Sequence, residues 1–70
     1  MRIRLADPAL VDELVGFLQR AHCIPVVLDD GDVEVFLAHD LPDHLAHAEL
    51  TAYLAVWRLV NPDVTVAIVD

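Results

Sequence analysis

Ile24-Pro25-Val26-Val27-Leu28-Asp29-Asp30-Gly31-Asp32-Val33-Glu34-Val35-Phe36-Leu37 is the stretch on which the fold turns. Two runs rich in β-branched residues, Ile24–Leu28 and Val33–Leu37, flank Asp29-Asp30-Gly31-Asp32, whose Asp-Gly pair supplies the positive φ that tight hairpin turns need. The stretch reads as a β-hairpin. Pro25 has no N–H to give to a ladder, which puts the first arm at an edge of its sheet.

Upstream of the hairpin, Arg2 to Ala6 alternates, with Ile3 and Leu5 on one side and Arg2 and Arg4 on the other, as in a strand buried on one face. Asp7-Pro8 then starts a helix, because the carboxylate accepts orphan amide protons and proline is pre-set for the first helical position. Leu10, Val11, Leu14, Val15, Phe17, Leu18 and Ala21 share one arc of that helix, opposite Asp12, Glu13, Gln19 and Arg20, and it ends near His22. Downstream, Leu41-Pro42-Asp43 leads into a second helix from Asp43 to Val60, stopped by Asn61-Pro62-Asp63. Val64 to Val69 makes the last strand, with Val64, Val66 and Ile68 on one side. The order predicts one domain over residues 1–70 of class α+β: a ferredoxin-like βαββαβ two-layer sandwich, its antiparallel sheet carrying both helices on one face.

In that order of elements the chain resembles small bacterial ferredoxin-like domains, among them ACT-type regulatory modules and small signal-transducing proteins. Tyr53-Leu54-Ala55-Val56-Trp57 followed by Asn61-Pro62-Asp63-Val64 also looks like the C-terminal half of short actinobacterial proteins, a likeness that implies no particular activity. Metal chaperones of this architecture carry Cys-x-x-Cys in the first loop, where this chain has Asp7-Pro8-Ala9-Leu10, so they are set aside.

Seventy residues hold one core and no second module. Chains this short bury only roughly 60 to 65% of their unfolded surface and often gain stability from disulfides, a metal or a partner subunit. Cys23 is the sole cysteine, which rules out an internal disulfide and fits a reducing cytoplasm, with a bridge between two chains as the alternative. Twelve acidic residues stand against four arginines and no lysine, for a net charge of -8. A field of that sign repels nucleic-acid phosphates and anionic lipid, and no run approaches the roughly 20 apolar residues that span a bilayer. The expectation is a cytoplasmic protein with no nucleic-acid or membrane partner.

His39, His44 and His47, with Asp40, Asp43 and Glu49 close by, are the candidate metal ligands, since imidazole and carboxylate together bind zinc, nickel or iron. His44 and His47 sit three apart on one helical face and His39 precedes them in a loop. Against this, His44, His47, Thr51 and Arg58 form the single polar stripe that any half-buried helix needs, and the solvated stripe is the reading preferred. His22-Cys23 invites a thiol nucleophile, yet adjacent residues at a helix end point apart and nothing orients the imidazole. Asp29, Asp30 and Asp32 lack the long loop and distal glutamate of a calcium hand, and turn chemistry accounts for them. There is no serine, no phosphate-cradling glycine loop and no nucleophile elbow. No catalytic residue and no cofactor are expected.

The apolar fraction of 57% exceeds the roughly 45 to 50% usual for such chains. On the second helix Leu45, Ala48, Ala52, Ala55, Val56 and Leu59 make one stripe and Leu50, Tyr53, Leu54, Trp57 and Val60 another, so that one faces the sheet and part of the other, around Tyr53, Leu54 and Trp57, is left for a second chain. The uncovered sheet face should present Arg2, Arg4, Val27, Glu34, Phe36, Thr65, Ala67 and Val69. The sequence thus predicts a non-enzymatic, self-associating regulatory or protein-interaction module. It is a homodimer paired through the sheet face, with Phe36, Val27 and Val69 central and Arg2 or Arg4 reaching Glu34, or else through the helix. A metal- or small-ligand-binding protein using the histidines or the open sheet face is the alternative.

Overall fold

A computed structural model describes residues 1–29, 31–38 and 40–69, and of Asp29 the backbone alone. Its elements are β1 (Arg2–Leu5), a 3-10 turn (Pro8–Leu10), α1 (Val11–Arg20), β2 (Cys23–Asp29), β3 (Asp32–Leu37), α2 (Asp43–Val60) and β4 (Val66–Ile68). The four strands form one antiparallel sheet in the order β2-β3-β1-β4. The α+β class, the single antiparallel sheet and the two helices agree with the expectation.

Local chemistry sets the boundaries. Asp7 Oδ1 accepts from the Ala9 amide at 3.0 Å and opens the 3-10 turn that leads into α1. His22 follows α1 with a left-handed φ of 65°, the conformation that commonly ends helices, and turns the chain into β2. Gly31 has φ 82°, and a Cβ there would collide with the Leu5 carbonyl oxygen, so the turn needs glycine for both reasons. The Leu5 amide in turn donates to the Gly31 carbonyl at 2.6 Å, stitching the hairpin to β1. Asn61 closes α2 by donating twice to the Trp57 carbonyl, from its amide at 3.1 Å and from Nδ2 at 3.3 Å. The Val64 amide then donates to the Asn61 carbonyl, which keeps that residue in the turn and leaves β4 shorter than the expected Val64–Val69.

Hydrogen bonding along the sheet fixes which backbone groups face its edges. The Val35 amide donates to the Met1 carbonyl and Leu5 to Gly31, so Val33 and Val35 address β1, while Asp32, Glu34 and Phe36 address β2. Pro25, opposite Val35, therefore sits on β2 where an amide would point outward, as the sequence reading required.

One face of the sheet is buried. Ile3, Leu5, Cys23, Val33 and Val35 join Val11, Leu14 and Leu18 from the first helix and Leu50, Leu54 and Trp57 from the second in a single core cluster. Leu50, Leu54 and Trp57 stand at i, i+4 and i+7 on one face of α2. The predicted helix-borne interface is thereby corrected: Trp57 is 2% exposed and Leu54 is also buried, so both belong to the core. Tyr53 is half-buried beside them. Trp and Leu are the largest apolar residues of the helix and remove the most surface from water when turned inward, which the small first stripe cannot match.

Candidate functional site

Among the described residues, three surfaces outside the core combine apolar with polar or charged side chains: the open sheet face, the outer side of α2, and a groove between α2 and β4.

The register places Arg2 opposite Glu34, Arg4 opposite both Asp32 and Ala67, and Ile24 opposite Phe36 on the open face. Phe36, Ile24, Val26 and Val69 are exposed there, a patch crossed by charge pairs. Arg4 forms a fork on Asp32, Nε to Oδ1 at 3.1 Å and Nη2 to Oδ2 at 3.4 Å. This bond holds the Asp32 carboxyl below its ordinary value. Glu34 lies 2.7 Å from the Met1 ammonium. The charges expected to reach across a dimer, Arg4 and Glu34, thus already have partners within the chain. Val27 is also corrected: it pairs with buried Val33 and so points to the other side of the sheet, though it remains exposed. Alternation from buried Cys23 puts Pro25 and Val27 on one side and Ile24 and Val26 on the other. Ile24, Val26 and Asp32 are open-face residues absent from the sequence-derived set, the first two because Ile24–Leu28 is apolar throughout and carries no visible parity.

On α2, Leu45, Ala48, Ala52, Ala55, Val56 and Leu59 all face outward. Leu59 is 82% exposed and Val60 74%. This is the stripe that the sequence reading took for the sheet-facing one. Glu49 borders it, and its Oε1 accepts from the Tyr53 hydroxyl at 2.7 Å; that hydrogen bond, with burial, raises the phenol above its ordinary value. The signal that separates the stripes lies in size: one holds three alanines, the other the tryptophan.

His44 and His47 are exposed, and His39 lies outside the described residues. Among the described residues no three His, Cys, Asp or Glu side chains converge as metal ligands would. Asp30, in the weighed calcium cluster, is outside the described residues too. His47 lines the groove between α2 and β4 with Thr51, Leu54, Ala55 and Arg58, facing Val66, Ala67 and Ile68, around a volume of about 270 Å3. The Thr51 hydroxyl donates to the His47 carbonyl at 2.8 Å and lies 3.5 Å from Nδ1. The polar stripe of α2 thus borders a groove instead of facing open water throughout.

Cys23 is buried, with Sγ 4.0 Å from the Ala21 carbonyl oxygen. Burial, and then the nearby Glu49 carboxylate, pushes its thiol up, the reverse of what a nucleophile needs. The His22 side chain is exposed. No described helix is long and apolar enough to cross a membrane. Comparison with protein-family models, with curated proteins and with solved structures finds no match.

Proposed function

We propose that this chain is a non-enzymatic cytoplasmic module that self-associates and serves as a protein-interaction or regulatory domain, with α2 pairing against α2 of a second copy. The observation that carries this is the outer side of α2, where Leu45, Val56, Leu59 and Val60 are exposed along with Ala48, Ala52 and Ala55. A helix that already buries one apolar stripe in its own core and exposes a second offers that second stripe to another surface. The occupant follows from charge: two copies that each carry -8 repel, and this strip, with no charged side chain between Leu45 and Leu59 along its centre, lets them meet without opposing carboxylates. The alanines allow close approach of two helices, and a two-fold axis makes the strip its own complement.

The open sheet face offers a second mode, supported by exposed Phe36, Ile24 and Val26. Its charges are largely paired internally, which weakens the case for Arg4 or Glu34 as bonds across an interface. The ferredoxin-like βαββαβ fold, and with it the likeness to small bacterial regulatory domains, remains part of this reading. It is supported by the strand order β2-β3-β1-β4, in which each β-α-β unit straddles one strand of the other.

Light scattering at micromolar concentration, compared across Leu59→Arg and Phe36→Glu, is the test. A dimer mass that falls to a monomer in Leu59→Arg alone supports pairing through α2. Loss in Phe36→Glu alone moves the interface to the sheet, and a monomer mass for the unaltered chain overturns self-association.

A further inference from the structure

The sheet has two edges, and they differ chemically. On β4 the Ala6 amide donates to the Thr65 carbonyl and the Val69 amide to the Arg2 carbonyl, with Arg4 facing Ala67 between them. Antiparallel ladders alternate, so Thr65, Ala67 and Val69 direct their backbone groups to β1, while Val66 and Ile68 direct theirs away from it. Beyond them no strand lies among the described residues. This leaves a short row of outward N–H and C=O groups, the template on which an extended segment adds. The side chains of Val66 and Ile68 are half-buried and line the groove against α2, and Ala67 lies on the open face.

A strand added there would drop alternate side chains into the groove between β4 and α2, where the floor is Leu54, Val66 and Ile68 and the polar wall is His47, Thr51 and Arg58. Among the described residues no acidic side chain lines it. Arg58 is exposed and has no ion-pair partner among the described residues, in a chain with only four cationic side chains against twelve acidic ones. We infer that the β4 edge accepts an extended segment of another protein as a fifth strand, and that the segment carries a carboxylate set against Arg58 with apolar residues two positions to either side. A second copy of β4 is disfavoured, because a two-fold axis at Ala67 would bring both Arg58 side chains to the same junction. The inference is independent of pairing through the outer side of α2: a monomeric chain still offers this edge.

The test is a titration of ¹⁵N-labelled protein with the capped heptapeptide TVTETVT, whose valines and glutamate share one side, and with TVTKTVT as its charge-reversed counterpart. Saturable shifts centred on the Val66 and Ile68 amides are expected, with the glutamate peptide bound about tenfold more tightly and that preference reversed in Arg58→Glu. Ile68→Pro removes one outward N–H while leaving the bonds to β1, and should abolish binding; Val66→Pro repeats the test at the other outward position if the first variant fails to fold. Equal affinity for the two peptides, binding that survives both prolines, or no saturable shift at millimolar peptide would each overturn the inference. So would shifts at Val66 and Ile68 that grow with protein concentration alone, which assign the edge to a second copy.

Discussion

Trp57 is the largest fully buried side chain, and its indole Nε1 has no hydrogen-bond partner among the described residues. A buried donor without an acceptor offsets part of what the ring contributes by packing. Trp57→Phe, which deletes the donor and keeps most of the ring, should therefore cost under about 2 kcal/mol in urea unfolding, whereas Trp57→Ala should cost about 3 to 5. Equal losses would mean that the indole N–H has a partner after all. Asp32 supplies a pH-dependent counterpart. Its folded value lies below the unfolded one because of the fork from Arg4, so the contribution is present above the ordinary carboxylate value and lost as pH falls through the folded one. Asp32→Asn should be less stable than the unaltered chain at neutral pH, with the difference closing as the solution is acidified through the carboxylate range. A deficit that persists at low pH would point to a role for Asp32 other than its charge.

At the level of elements, much was legible because single residues punctuate the chain. Pro25 assigned its strand to an edge, Asp7-Pro8 opened the helical segment, and Pro42 with Asn61-Pro62 bounded α2 at Asp43–Val60. Rotation about the α2 axis was not legible, since apolar residues occupy nearly every side of it, and periodicity cannot choose between two apolar stripes. Volume can choose: Leu50, Leu54 and Trp57 fill a core better than Ala48, Ala52 and Ala55. The facing of Val27 was hidden by an unbroken apolar run, and the early end of β4 by the backbone turn at Asn61. Arg2, Arg4, Glu34, Phe36 and Val69 lie on the open sheet face as alternation implies, Val27 lies on the other side, and of the helix set Leu54 and Trp57 are buried in the core. The inverted stripe gives a sharp contrast. Leu59→Arg should change stability by no more than about 0.5 kcal/mol, while Leu50→Ala on the opposite side should cost about 2 to 5. A large loss in Leu59→Arg, measured at a dilution where the chain is monomeric, would place that residue in the core.

For the whole molecule, the accessible surface of 4410 Å2 matches the roughly 4,400 Å2 that the size scaling gives for a monomer of 7.8 kDa. The surplus of apolar residues is therefore a matter of what lies on the surface, not of an expanded shape. Two such chains at -8 each repel at long range, and salt screens that repulsion while leaving apolar contact intact. Self-association should therefore tighten as ionic strength rises from about 0.01 to 0.3 M, where the Debye length falls from about 30 Å to below 10 Å. Sedimentation velocity at both salts measures this, and a dimer that weakens with salt would show that ion pairs, not apolar faces, hold it.

Pro25 carries a consequence for growth. A sheet open at both edges can polymerise, each molecule handing its free edge to the next without end. Here β2 lacks its middle outward donor, and the register shift between Val27 and Asp29 further breaks the regularity of that border. A strand received at β4 has no matching edge on the far side from which to continue, so this molecule is a chain terminator for ribbon growth. Pro25→Val restores the donor and should turn a stable solution into one that forms thioflavin-positive fibrils on prolonged incubation; a solution that stays clear would show that the barrier lies elsewhere.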